Sequence, residues 1–259
     1  MNVKALIPNS LTMGNLLGGA FVCWMAASGN DLSSVLVAGI WLAAMFCDLL
    51  DGIAARKLGV DGPMGVQLDS LADLVTGGLA PAFVAYRLIT DSAYCTGMFA
   101  EISPLIRILP WAIAVAAAYR LARYNVSALR GDSQKYFEGL PAPAAGLFWM
   151  GIILWIGGDH TPTEQKALLV VAGMGLVLLP LFMVLKRGFF SLKRWGETPK
   201  LDKTRQGFIA LSTLVVVGTF FAWQNVFAAA PLCVLLYSCF AFVLAPKQTD
   251  FKNEISRRD

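Results

Sequence analysis

Eight apolar runs divide the chain, near residues 10–29, 35–57, 66–90, 103–125, 141–158, 168–186, 207–224 and 228–245. Crossing a bilayer takes about 17–25 helical residues, and a spanning helix satisfies its own backbone polar groups. The pattern therefore predicts an all-α, polytopic membrane helix bundle of about eight transmembrane helices. The second, third and fourth runs carry charge at one end. The first run is too long, and lacks a small-residue exit, for a cleavable signal peptide.

Composition agrees with the pattern. Of 259 residues, 57% are hydrophobic and only 15% charged, where soluble domains run nearer a quarter charged. The basic residues crowd alternate connections. Lys4 precedes the first run, Arg56 and Lys57 follow the second, and Arg120, Arg123, Arg130 and Lys135 follow the fourth. Lys186, Arg187, Lys193, Arg194, Lys200, Lys203 and Arg205 follow the sixth, and Lys247, Lys252, Arg257 and Arg258 end the chain. The intervening connections offer only Lys166. By the positive-inside rule both termini and every basic loop are cytoplasmic, so residues 31 and 160 fall outside and residue 195 inside. The net charge of +4 then reflects topology and attraction to anionic membrane lipids, and gives no reason to expect a nucleic-acid partner. Cys23, Cys47, Cys95, Cys233 and Cys239 form no C-x-x-C pair and read as small apolar residues. With His160 the one histidine, in an expected outside loop, a histidine metal site or triad is not expected.

Against this apolar background residues 48–73, DLLDGIAARKLGVDGPMGVQLDSLAD, carry Asp48, Asp51, Asp69 and Asp73. At about 100° per residue, Asp48, Asp51, Gly52, Ala55 and Arg56 share one face of the second helix. Gly65, Asp69 and Asp73 share a face of the third. Between them KLGVDGPM has turn composition, which brings the two helices back side by side. Four clustered carboxylates repel strongly in a low dielectric unless cations neutralise them, and hard divalent ions, Mg2+ or Mn2+, suit such oxygen ligands. Two such ions would clamp phosphoryl oxygens. Gly52 and Ala55 would leave room for a ligand, and Arg56 would offer a fixed cation to phosphate. Intramembrane acids also serve ion pathways, so a cation transporter is the competing class. Arg56 on the carboxylate face argues against it.

The same residues read D-x-x-D-G-x-x-A-R, eight residues, then G-x-x-x-D-x-x-x-D. This resembles the signature of the CDP-alcohol phosphotransferase family at every defined position. The resemblance implies a membrane enzyme that transfers a phosphatidyl-type group from a CDP-linked lipid to an alcohol and releases CMP. It also implies a six-helix core, two divalent cations and a homodimer. Three further segments are similar to the branch whose lipid is CDP-diacylglycerol and whose acceptor is L-serine. They are IPNSLTMGN, QLDSLADLVTGGLAPA, and RLARYNV with GLPAPAAG, and with the signature they cover roughly residues 7–146. The pattern departs at Thr76-Gly77-Gly78, where an aromatic is expected in place of Gly77. Phosphatidylglycerophosphate and phosphatidylinositol-type syntheses are the alternatives within the family.

Carried onto matching positions, the resemblance implies that Asp48, Asp51 and Asp69 hold one ion and Asp48, Asp69 and Asp73 the other. Asp73 would also be the catalytic base, and Gly52, Arg56 and Gly65 would line the CDP moiety. Thr12 and Asn15 either contact the nucleotide or pair helices. Arg120 and Arg123, with Asn125 nearby, are the candidates for the serine carboxylate, since arginine grips carboxylates in two-pronged fashion. Snorkelling as cytoplasmic anchors is their other reading. Pro141 and Pro143 are expected to start the fifth helix. The expected domains are a catalytic membrane core (1–190), a basic cytoplasmic loop (191–206), a C-terminal helix pair (207–246) and a cytoplasmic tail (247–259). The expected location is a bacterial cytoplasmic membrane with the site on its cytoplasmic face.

Overall fold

The structure is a computed structural model and describes residues 3–28, 33–60, 62–90, 104–129, 137–157, 161–189 and 199–244. Residue 31, Cys95, Arg130, Lys135, His160, Lys193, Arg194, residue 195 and the tail from 245 lie outside the described residues.

The described residues are almost entirely helical, with α1 (Leu6–Ala27), α2 (Ser34–Leu58), α3 (Pro63–Leu74), α4 (Ala80–Thr90), α5 (Trp111–Leu129), α6 (Ala142–Ile156), α7 (Pro162–Val184), α8 (Pro199–Trp223) and α9 (Ala229–Leu244). Among the described residues six stretches are long and apolar enough to cross a membrane: α1, α2, the run Pro63–Thr90, α7, α8 and the run containing α9. The polytopic helical membrane fold therefore holds. Of the eight expected spans, α6 is shorter at 15 residues, and α5 is outside the six. The α5 boundaries also differ from 103–125. A 3-10 turn, Pro104–Ile108, precedes the helix, which then continues through polar residues to Leu129 because neighbours satisfy them. Asn125 Nδ2 donates to Ser70 Oγ at 2.9 Å, and Arg123 donates to the Val184 carbonyl at 3.0 Å. Arg107 consequently falls in a connection rather than in a span. The expected basic loop also ends early. Residues 199–206 belong to α8, where Asp202 in the first turn pairs with Arg205 at 2.7 Å, a favourable i,i+3 arrangement near a helix start.

Gly59 ends α2 with φ +63°, and its N–H returns to the Ala55 and Arg56 carbonyls. A left-handed cap of this kind suits glycine. Pro63 then opens α3 in its first turn, where its missing N–H costs nothing. As expected, Pro141 caps α6 and Pro143 sits in its first turn. A two-residue antiparallel clasp pairs Phe137–Glu138 (β1) with Gly188–Phe189 (β2).

Between α3 and α4 the helix does not break but widens into a π-turn, Val75–Leu79. The Ala80 N–H reaches back five residues to the Val75 carbonyl. In that register the next donor would be residue 81, which is proline and has none. The Thr76 carbonyl is left without a helical partner, and the Trp41 indole N–H from α2 supplies one at 2.9 Å. Glycines let the neighbours close in. A Cβ on Gly19 would lie 2.7 Å from Thr76 Oγ1, one on Gly77 2.9 Å from Ala142 Cβ, and one on Gly146 2.2 Å from the Trp41 ring. The aromatic expected in place of Gly77 has no space here, because α6 passes where its ring would sit. Gly146→Ala should overpack against Trp41 and cost about 1–3 kcal/mol. A lowered melting temperature in detergent checks this, and unchanged melting would count against the packing.

Candidate active site

The bundle end formed by the start of α1, the end of α2 and the start of α3 holds a cavity of about 230 Å³. Pro8, Asn9 and Thr12 come to it from α1, Asp51, Gly52, Ala55 and Arg56 from α2, and Gly65, Val66 and Asp69 from α3, with Val60 and Gly62 from the turn. A Cβ on Gly52 would meet nothing nearer than the Arg56 guanidinium at 3.5 Å, and one on Gly65 nothing nearer than Asn9 Oδ1 at 3.9 Å. These two glycines border open space instead of packing against a neighbour. Their value is the room they leave for a ligand.

Asp48, Asp51 and Asp69 present carboxylate oxygens that all lie within 4.8 Å of one another. Asp73, one turn further along α3, brings its carboxyl within hydrogen-bonding reach of Asp48, while its Oδ1 is buried without a partner. Two donors from α1 hold the α2 acids. The Thr12 hydroxyl donates to Asp51 Oδ2 at 2.5 Å, and Asn15 Nδ2 donates to Asp48 Oδ1 at 3.1 Å. An acid set this close, with one oxygen orphaned in the interior, fits hard divalent cations and is otherwise self-repulsive.

Next to Asp73 stands α5, which does not line the cavity itself. Arg120 is buried, its charge interacts with that of Asp73, and its Nε has no partner. Tyr237 of α9 lies within electrostatic reach of the same guanidinium. Arg123, three residues on, instead donates to the last α7 carbonyl, Val184, and stands over the Tyr119 ring. Asn125 is bound to Ser70. Of the three residues considered for the acceptor, Arg120 interacts with the acid cluster through Asp73, Arg123 bonds the end of α7 and Asn125 bonds Ser70 of α3.

Residues 5–186 match the family model described as CDP-alcohol phosphatidyltransferase. The chain belongs to the CDP-alcohol phosphatidyltransferase family. Its relatives include proteins named CDP-diacylglycerol–serine O-phosphatidyltransferase. The one from Bacillus subtilis is 32% identical over 54% of this chain and 71% of its own length. That from Helicobacter pylori is 30% identical over 69% of this chain and 71% of its own. A third, from Methanocaldococcus jannaschii, is 36% identical over 43% and 47%. Family membership agrees with the geometry: the eight signature positions lie along the facing stretches of α2 and α3.

The sequence reading missed several residues that the fold brings to this end. Pro8 and Asn9 line the cavity, and the quoted IPNSLTMGN segment already contains them. Thr76 and Trp41 support Asn15 from behind, and Tyr237 approaches Arg120. No periodicity in the apolar run 228–245 marks Tyr237, and α8 and α9 lie beyond the residues that the family model matches.

Proposed function

We propose that this protein is a CDP-diacylglycerol–serine O-phosphatidyltransferase that works at the cytoplasmic face of the membrane. The observation that carries the reading is the acid cluster from α2 and α3, with Asp51 and Asp69 lining a cavity at one end, Asp48 within reach of both, and a buried arginine whose charge interacts with Asp73. The names of its relatives support the substrates.

In this reading Asp48, Asp51, Asp69 and Asp73 hold two divalent cations, Mg2+ or Mn2+, which when bound neutralise the pyrophosphate charge. Gly52 and Gly65 admit the CDP moiety, with Thr12 at the same wall, and Arg56 hydrogen-bonds its phosphate oxygens. Thr12 and Asn15 steady the carboxylates of Asp51 and Asp48. Arg120 receives the serine carboxylate, which places the serine hydroxyl beside Asp73. The hydroxyl oxygen forms the new bond to the lipid-side phosphorus, Asp73 takes the proton, and the bond to the CMP phosphate oxygen breaks, so CMP leaves with that electron pair. Lys4 before α1 and Arg56 and Lys57 at the end of α2, the helix ends that border the cavity, support the cytoplasmic placement. The family resemblance supports a homodimer as the working unit.

Purified protein given CDP-diacylglycerol and Mg2+ or Mn2+ should release CMP only when serine is added. Release driven equally by glycerol 3-phosphate or inositol would move the protein to another branch of the family. No release with any of these acceptors would overturn the transferase reading. Cation transport is disfavoured by Arg56, which places a fixed positive charge on the cavity wall.

A further inference from the structure

Behind the acid cluster a chain of hydrogen bonds runs from the π-turn to Asp48, and its direction is fixed by chemistry. Thr76 Oγ1 is fully buried and has three oxygens around it: Asn15 Oδ1 at 2.7 Å, the Ala72 carbonyl at 3.0 Å and the Asn15 carbonyl at 3.2 Å. None of these can donate, so the hydroxyl must. At 2.7 Å, Asn15 Oδ1 is the shortest contact and the better-placed acceptor. With Oδ1 turned to the hydroxyl, the amide nitrogen of Asn15 faces Asp48, to which it donates at 3.1 Å. The flipped amide would set its oxygen against a carboxylate and its NH2 against a hydroxyl whose proton has other acceptors.

The π-turn places Thr76 for this task. Because Pro81 supplies no N–H, the Thr76 carbonyl takes the Trp41 indole, itself wedged against Gly146. The residue is thus fixed through its backbone by α2 and through its side chain by α1.

We infer that Thr76 is a positioning residue of the cation site, orienting the Asn15 amide so that Asp48 is presented with one carboxylate geometry. The inference rests on the reading of the acids as cation ligands. Partners of ligating residues typically alter metal affinity by about 10–100-fold when removed.

The test is Mn2+ binding, followed by the loss of free-ion electron paramagnetic resonance signal on the purified full chain without substrate. Thr76→Val keeps the shape and removes the donor, and should weaken Mn2+ binding about tenfold. Thr76→Ser keeps the hydroxyl and should restore binding to within about twofold of the native chain. Asn15→Ala should weaken binding by a similar factor, and the double variant should be no weaker than Asn15→Ala, since both changes interrupt one chain. Size-exclusion profiles and melting temperatures identify the folded protein in each case. Native affinity in Thr76→Val, or losses that multiply in the double variant, would overturn the role of Thr76. If the native chain binds no Mn2+ that Asp48→Asn abolishes, the cation reading itself falls, and the orienting role with it.

Discussion

Asp48→Asn and Asp69→Asn are each expected to lower serine-dependent CMP release by about 10²–10³-fold. Losing a shared cation ligand removes electrostatic stabilisation of the developing charge, typically worth about 3–4 kcal/mol, and each 1.4 kcal/mol is a factor of ten in rate. The accompanying change in stability distinguishes a cation site from a structural one. Without cations the acids repel one another, since three of them place oxygens within 4.8 Å. Removing one charge should therefore leave the chelated protein at least as stable as the native chain. Mg2+ or Mn2+ should raise the melting temperature of the native protein and raise it much less in the variants. Near-normal turnover in either variant, or a native protein whose melting ignores divalent ions, would refute the assignment.

Arg120→Lys is expected to raise the apparent Michaelis constant for serine tenfold or more while changing that for CDP-diacylglycerol little. Lysine keeps the charge but loses the two-pronged geometry, and a charge-assisted hydrogen bond is worth about 1.5–3 kcal/mol. Arg123→Lys serves as the comparison. Its guanidinium donates to the Val184 carbonyl, so its loss should show as lower thermal stability with the serine constant within about twofold. Arg56→Lys, on the cavity wall, should weaken chiefly the CDP-lipid. Equal serine constants for native and Arg120→Lys protein would place the acceptor pocket elsewhere.

The acid cluster was legible in the sequence because it depends on spacing alone. Three- and four-residue intervals put Asp48 with Asp51, and Asp69 with Asp73, on single helix faces, and glycines in the turn between them announce the return of the chain. Thr12 and Asn15 were legible as candidates, and the fold settles their contacts on Asp51 and Asp48. Spacing alone does not tell Arg120 from Arg123, because the bond of Arg123 to the Val184 carbonyl depends on where α7 ends. Thr76 was passed over for a similar reason. Its role depends on a change of helical register that Pro81 produces five residues later, and on a tryptophan contributed by another helix. Gly77 looked like an unexplained departure until Ala142 was seen to occupy the space. At α5 the apolar run 103–125 gave no sign that the helix continues to Leu129, its polar C-terminal half held by side-chain bonds to its neighbours.

The donors on α1 also bear on how the protein is made. Synthesis proceeds from the amino terminus, so Thr12 and Asn15 reach the bilayer before the acids they serve. When α2 follows, Asp51 and Asp48 meet hydroxyl and amide groups already in place at matching depth. A carboxyl entering an apolar environment unpaired is costly, and here part of that cost is offset by a helix that has already been inserted. The order of helices along the gene thus doubles as an order of assembly, with partners for the difficult residues laid down first.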